Sequence, residues 1–173
     1  MTTIGRIKAK RLPSRVAGRR ASNLVGAIEG TIVATAVVAG LSESSVPSFR
    51  ALWILVATGT FFWVAHVYAD LLAARIKGHH RMSREAVTEV MAREWPLLQA
   101  SLLLAVPLVL GVLDILSRDA ALGLSILVGI TALIVWGIVF SRREGHGVAG
   151  MVSAASMNAA VGLVIISFKV AVP

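Results

Sequence analysis

Five apolar runs, each long enough to cross a lipid bilayer, alternate with short polar segments along the 173-residue chain. They cover residues 23–41, 51–74, 97–116, 122–140 and 148–170. Because an α-helix rises about 1.5 Å per residue, roughly 20 apolar residues span a hydrocarbon core of about 30 Å. The pattern predicts an all-α, polytopic membrane protein in which residues 21–173 form a single transmembrane domain of five helices.

A charged segment separates the second apolar run from the third. Ser83 is placed to cap a helix, and apolar residues recur at helical spacing after it. Pro96 suits a first helical turn and biases Trp95 away from helical dihedral angles. We therefore predict a separate amphipathic helix over residues 83–95, lying on the membrane or on the bundle. The third transmembrane helix is expected to start anew after it and to be kinked at Pro107.

Composition supports a membrane protein and narrows the range of partners. Hydrophobic residues make up 57% of the chain and charged residues 15%, and the mean hydropathy is +0.81, outside the balance of soluble domains. The absence of cysteine excludes disulfides and thiolate metal sites. The net charge of +8 would suit nucleic acid, but the basic residues flank apolar runs, as topology signals do. We expect a lipid bilayer around the chain and no nucleic-acid partner.

Basic residues predict the orientation of the chain in the membrane. A basic arm over residues 1–20 contains seven Lys and Arg residues and no acidic residue. Together with segments 75–95 and 141–147 it holds 14 basic residues, while the opposite side holds 3. The positive-inside rule then predicts a cytoplasmic N-terminus and, after five spans, a C-terminus outside.

Two of the apolar runs carry small residues at every fourth position, a pattern that allows close helix approach. In the first run these residues are Gly26, Gly30 and Ala34. In the fifth run the stripe consists of Gly150, Ala154, Asn158 and Gly162. We predict a homo-oligomer, with a dimer favoured, packed through the first stripe, while the fifth-run stripe serves inside the protomer.

Ionisable side chains within the apolar runs form the candidate functional site. Glu29 lies in the first run, and His66 and Asp70 lie four residues apart on one face of the second. A charge at the centre of a membrane helix costs about 2.5 to 3.5 kcal/mol, so such residues usually face a protein interior or a water path. We predict that Glu29 and His66 act as one unit that accepts a cation or exchanges protons, with Asp70 as a vestibule charge. Supporting roles are expected for Tyr68, Asn158 and Gln99.

The chemistry of this set suits more than one role. Carboxylate, imidazole and amide oxygen are ligands for borderline divalent metals such as Fe, Mn, Co or Zn, and equally form proton relays. Asp70 is also shallow enough to pair with Arg75 or Lys77 near the membrane surface. Tyr68 has an alternative role in the aromatic belt, and for Asn158 an interhelical hydrogen bond is favoured over ligation.

A weaker candidate lies in the charged segment 75–95. Glu85 and Glu89 share a helix face, and His79 and His80 precede them, which makes a candidate cytoplasmic metal patch. The neighbouring arginines oppose cation binding, and solvated amphipathic helices routinely carry such pairs. We favour the solvated helix.

Four stretches of the chain resemble the vacuolar iron transporter family, whose members have five spans, a cytoplasmic N-terminus and a helical insert between spans two and three. The stretches are residues 26–30 (GAIEG), residues 65–70 (AHVYAD), the proline-containing third run, and residues 137–147 leading into a glycine-bearing fifth run. The resemblance implies divalent metal transport through a dimeric pore. Glu29 stands where the family usually has aspartate, and Val67, next to His66, stands where it usually has glutamate.

Three classes of function stay open. Proton-coupled transport of a divalent cation of the Fe or Mn type is favoured, because it accounts for Glu29, His66 and the resemblance together. A small oligomeric ion or proton channel would use the same residues without alternating access. An accessory or scaffolding membrane protein would use the buried polar groups for helix assembly alone. We expect neither an enzyme nor a bound cofactor, because the sequence contains no nucleophile–base arrangement or phosphate-binding glycine loop.

Overall fold

The computed structural model describes residues 14–76 and 83–143, together with the single residues 150, 153, 156 and 160. This part of the chain contains no strand and four long helices: α1 (Ser14–Ser42), α2 (Ser48–Ile76), α3 (Arg84–Val112) and α4 (Arg118–Arg143). All four contain a stretch that is long and apolar enough to cross a membrane. The predicted all-helical membrane fold is confirmed to that extent, whereas the fifth span over 148–170 lies almost wholly outside the described residues.

The helices are longer than the apolar runs that predicted them. α1, α2 and α3 each contain 29 residues, which corresponds to about 44 Å against a hydrocarbon core of about 30 Å. α1 accordingly begins at Ser14, inside the basic arm predicted over residues 1–20. The polar extensions are helical because a hydrogen-bonded ladder, once nucleated in the apolar run, propagates into the flanking residues at little cost.

α3 corrects one prediction about the chain. Ser83 caps the helix as expected, because its Oγ accepts a hydrogen bond from the backbone N–H of Ala86 at 3.2 Å. The predicted break before Pro96 is wrong, since this proline lies inside one continuous helix. The separate amphipathic helix over 83–95 is therefore the first part of α3. A proline inside a helix costs about 3 kcal/mol, which the burial of the following apolar face outweighs. The buried side chains of that face include Leu97, Leu104 and Leu108.

α3 ends earlier than expected, at Val112, in a left-handed turn. Asp114 has a φ of 56°, a conformation that glycine adopts most readily. The backbone N–H of Ile115 then donates to the carbonyl oxygen of Leu110 at 3.0 Å, which satisfies one of the last carbonyls of the helix. This closure reverses the chain within a few residues, so that α3 and α4 run antiparallel.

α3 is the central helix of the described bundle. It packs along α1, α2 and α4, and α1 also packs along α4. The contact between α1 and α2 is much smaller, so α2 lies at the periphery and packs mainly against α3. The core is formed by fully buried side chains from all four helices, among them Val38, Leu55, Leu104, Leu108 and Leu122.

The small-residue stripe of α1 is used inside the protomer. Gly26 and Gly30 both face the backbone of Leu97 in α3, and a Cβ atom at Gly30 would overlap the Leu97 carbonyl. Ala34, the third member of the stripe, is buried to 1% exposure. Close packing of this stripe against α3 argues against the predicted dimer interface at this face, and the homo-oligomer itself stays a prediction.

Two further glycines set the register of neighbouring helices. Gly59 of α2 faces the side chain of Ser101 in α3, and Gly129 of α4 faces Thr35 in α1; a Cβ atom at either glycine would overlap its neighbour. Both hydroxyl-bearing partners are buried. The Gly59–Ser101 crossing therefore fixes which residues of α2 and α3 lie at the same level, and the Gly129–Thr35 crossing does the same for α4 and α1.

Arg118, at the start of α4, ties the connection between α1 and α2 to the bundle. Its Nε donates to the carbonyl oxygen of Val46 at 2.7 Å, and Nη2 donates to those of Leu41 at 3.2 Å and of Ser44. A guanidinium here satisfies carbonyls at the C-terminal end of α1 and complements its dipole. This arginine is thus a structural clamp.

Candidate functional site

Glu29 of α1 and His66 of α2 meet where these two helices approach one another. Nε2 of the imidazole lies 3.2 Å from Oε1 of the carboxyl group. Glu29 belongs to the candidate membrane span of α1, Leu24–Ser42, and His66 to the candidate span Ser48–Ile76. The structure therefore brings together the two residues that the sequence analysis coupled; their role in transport stays a prediction.

The second ring nitrogen of His66 is held by the backbone. Nδ1 lies 3.0 Å from the carbonyl oxygen of Phe62, one helical turn earlier. A carbonyl oxygen only accepts hydrogen bonds, so Nδ1 carries the hydrogen in this contact. The Phe62 ring also packs against the imidazole, with ring centroids 5.3 Å apart. Both contacts orient the ring so that Nε2 faces Glu29.

The two contacts of the imidazole restrict where protons reside. With Nδ1–H donating to Phe62, Nε2 meets the Glu29 carboxyl group either as a second donor or as an acceptor. In the first case an imidazolium faces a carboxylate, and in the second a neutral imidazole accepts from a carboxylic acid. Both arrangements place one proton between the two residues and leave the pair without net charge. The pair is therefore a one-proton binding site.

The Glu29–His66 pair is only part-buried between α1 and α2. The side chain of His66 is 32% exposed and that of Glu29 43% exposed. Neither value is typical of a sealed core residue, and both helices are otherwise apolar at this level.

Asp70 has a different partner from those expected. One turn beyond His66 on the same face of α2, its Oδ2 accepts a hydrogen bond from the Nη2 of Arg93 in α3. Nε of Arg93 in turn donates to Oε1 of Glu94 at 3.1 Å. The structure therefore joins Asp70 to Arg93 of α3. Of the two partners considered from sequence, Arg75 is not paired with Asp70 among the described residues, and Lys77 lies outside them.

The other predicted site residues lie apart from the pair. Tyr68 is 66% exposed and Gln99 is also exposed, and neither hydrogen-bonds to Glu29 or His66 among the described residues. Glu85 and Glu89 are exposed in the first turns of α3. Asn158, His79 and His80 fall outside the described residues. Across the described ranges 14–76 and 83–143, no group of three His, Asp or Glu side chains converges as a metal centre requires.

Sequence reasoning missed two residues beside the site, Arg93 and Phe62. Because a break is expected before Pro96, Arg93 is placed in a separate surface helix. The sequence then offers no reason to expect residue 93 at a fixed position relative to α2. Continuous helical spacing from Leu97 back to Arg93 is the signal that places it correctly. Phe62 contributes its backbone carbonyl, and the i, i+4 spacing to His66 is the corresponding signal.

Comparisons with known proteins find no matching family model, no matching curated protein and no matching solved structure. The resemblance to the vacuolar iron transporter family accordingly stays a hypothesis carried by the residues quoted for it. The geometry of the described residues is the basis for the functional proposal that follows.

Proposed function

We propose that this protein is an integral membrane transporter that exchanges a divalent cation of the Fe or Mn type for a proton at the Glu29–His66 pair. The observation that carries the proposal is the 3.2 Å contact between His66 Nε2 and Glu29 Oε1 inside two membrane-spanning helices. Intramembrane ionisable groups usually mark ion pathways and proton relays. An imidazole and a carboxylate are also both ligands for these metals.

The exchange follows from the proton held by the pair. A cation that binds Nε2 and the carboxylate requires the shared proton to leave, because the same lone pairs hold either the proton or the metal. One proton is released for each cation bound, and one is taken up when the cation departs. The Nδ1–H contact with the Phe62 carbonyl supports this role, since metal-binding histidines usually donate their other ring N–H to such a group.

A proton or ion channel is the second candidate. The pair is complete as a proton site with the two side chains alone, whereas a cation needs additional ligands from water or from other parts of the assembly. This observation favours a channel in which the pair relays protons without binding metal.

Orientation and assembly belong to the same proposal. The excess of basic residues in segments 1–20, 75–95 and 141–147 supports a cytoplasmic N-terminus and an outside C-terminus. A homodimer is favoured because few helices form only a thin wall around a polar path. Its interface has to use a face other than the stripe that α1 buries against α3.

Flux measurements in proteoliposomes test the proposal. Mn²⁺ uptake and the accompanying proton movement are measured for the native protein and for Glu29→Gln, which removes the charge but keeps the shape. Asp114→Asn is the matched control, because it makes the same chemical change in an exposed turn at the opposite end of the bundle. We expect Mn²⁺-driven proton counterflow in the native protein and in the control, and loss of both fluxes in Glu29→Gln.

The three functional classes give different results in this assay. Dissipation of a pH gradient without Mn²⁺ would identify the channel instead. Equal Mn²⁺ uptake by Glu29→Gln and the native protein would show that the Glu29–His66 pair is not the transport site. Absence of any flux in a correctly assembled native protein would leave an accessory or scaffolding role.

A further inference from the structure

A fixed positive charge stands next to the Glu29–His66 pair. Asp70 lies one helical turn from His66 on the same face of α2 and is bound to Arg93 of α3. Since four residues of helix advance about 6 Å, the guanidinium is about one turn from the imidazole. It lies toward the end of the bundle where α2 ends and α3 begins.

The register of α2 and α3 supports this position. Gly59 faces Ser101 across the two antiparallel helices. Both helices rise by the same amount per residue. Seven residues after Gly59 in α2 and seven residues before Ser101 in α3, His66 and Glu94 therefore lie at the same level. Arg93 is adjacent to Glu94, so its backbone also lies close to the level of the Glu29–His66 pair.

Arg93 is held there from both sides. Nη2 donates to Asp70 of α2, and Nε donates to Glu94 of α3 at 3.1 Å. Its side chain is 36% exposed, that of Asp70 38% and that of Glu94 13%. Two carboxylates thus fix one guanidinium in a part-buried position, which restricts its side-chain motion more than a single surface contact would.

We propose that Arg93 is a tethered cation that determines which charged species reach the Glu29–His66 pair from this end of the bundle. With Arg93 on Asp70 and Glu94, the guanidinium offsets the charge of these carboxylates one turn before Nε2, so a cation is attracted less, and an anion repelled less, than by the carboxylates alone. Release of the guanidinium from Asp70 leaves a carboxylate facing the arriving cation. The inference rests on the proposed function in one respect: the cation whose approach Arg93 influences is the substrate proposed above.

Thiol modification tests the charge selectivity without any transport measurement. The chain contains no cysteine, so His66→Cys introduces a single thiol at the site. The rates of its modification by a cationic and by an anionic methanethiosulfonate reagent of similar size are measured with Arg93 and with Arg93→Gln. Ser45→Cys, an exposed position in the α1–α2 connection at the other end of the bundle, is the matched control.

We expect the ratio of cationic to anionic modification at the His66→Cys thiol to be lower when Arg93 is present than when it is absent. Arg93→Gln should shift the ratio of the two rates toward the cationic reagent by about tenfold, the size of effect that one unit charge at about 6 Å produces at a part-exposed site. Arg93→Lys should keep the native ratio, and the ratio at the Ser45→Cys thiol should not change. An unchanged ratio at the His66→Cys thiol in the Arg93→Gln background overturns the proposal, as does a thiol that neither reagent modifies in either background.

A second variant distinguishes the effect of the charge from a folding defect caused by an unpaired Asp70. Arg93→Gln leaves Asp70 without its guanidinium, whereas Asp70→Asn with Arg93→Gln removes both charges and keeps both shapes. Because the two charges are opposite and adjacent, we expect the ratio in the double variant to return toward that measured with Arg93 present; a ratio equal to that of Arg93→Gln alone overturns the proposal.

The two proposals fail in distinguishable ways. If Glu29→Gln transports Mn²⁺ like the native protein while the modification ratio shifts as expected, the transport site is wrong and the charge filter stands. If Glu29→Gln abolishes exchange and the modification ratio does not respond to Arg93, the transport site stands and the filter is wrong.

Discussion

His66 Nε2 and Glu29 Oε1 lie 3.2 Å apart although 37 residues separate them along the chain. The contact joins a ring already oriented by Phe62 to a part-buried carboxyl group on another helix. It differs from a surface ion pair because both members belong to apolar helix segments that are candidate membrane spans.

The proposed exchange predicts how cation binding depends on pH. In that proposal cation and proton compete for the same lone pairs, so lowering the pH should weaken cation binding. We expect the apparent affinity for Mn²⁺ to fall by about tenfold per pH unit wherever the pair holds its proton, since one proton is displaced per cation. The measurement is Mn²⁺ uptake against concentration at several pH values.

His66→Asn is the test variant for this pH dependence. It keeps a neutral polar side chain but removes the titrating imidazole, so the affinity should be lower and its dependence on pH flatter. Asp114→Asn again serves as the control and should follow the native curve. A native affinity that does not change with pH would contradict displacement of a proton.

Gly30 is expected to be essential for packing of α1 on α3. A Cβ atom there would overlap the Leu97 carbonyl, and backbone cannot move aside without shifting a helix. We expect Gly30→Ala to lower the free energy of unfolding by about 1 to 3 kcal/mol, as overpacking of a close contact does. Equilibrium unfolding in mixed detergent micelles measures the change.

Gly40 of α1 provides the matched control for this substitution. No atom lies within 4 Å of a Cβ atom built there. Gly40→Ala should therefore raise stability by about 0.5 to 1 kcal/mol through the helix propensity of alanine. Equal effects of the two substitutions would mean that the α1–α3 contact is not close at Gly30.

Loss of the Arg118 clamp should destabilise the connection between α1 and α2. Arg118→Ala leaves the carbonyls of Leu41, Ser44 and Val46 without this donor, and a hydrogen bond from a charged group contributes about 1.5 to 3 kcal/mol. We expect a lower unfolding temperature and faster proteolysis within residues 42–47. Arg118→Lys should recover only part of the loss, because an ammonium group cannot reproduce the planar fork.

Arg84→Ala is the matched control for the clamp, since it removes an exposed arginine from the first turn of another helix. Its effect should stay within about 0.5 kcal/mol, as for most surface substitutions. A similarly small effect of Arg118→Ala would show that the clamp does not contribute to stability.

Asp114 offers a stabilising substitution. It holds a left-handed conformation with a φ of 56°, which costs a residue with a Cβ atom about 1 kcal/mol relative to glycine. Asp114→Gly should raise the free energy of unfolding by up to about that amount. Asp119→Gly, in the first turn of α4 where an acidic side chain is favourable, should lower it; the opposite order of stability would contradict the assigned turn.

Local patterns in the sequence are sufficient for the positions of the four described helices and for the start of α3. Apolar runs predict four helices at the right places, because the length of an apolar stretch is a local property that the bilayer thickness selects. Ser83 is recognisable as a cap because its acceptor reaches a backbone N–H only three residues away. The break predicted at Pro96 is wrong because the sequence shows the local penalty of a proline but not the packing that outweighs it. That packing comes from residues on other helices.

The sequence also places Glu29 and His66 within apolar runs, which makes them a candidate pair. What only the tertiary structure decided is which helix faces which. The stripe of Gly26, Gly30 and Ala34 fits a second copy or a neighbouring helix equally well, and Leu97 decides between them. Asp70 binds Arg93 for the same reason: α3 is continuous through Pro96 and leans along α2. Spacing along a helix determines which residues share a face, but the partner of that face depends on how the helices pack together.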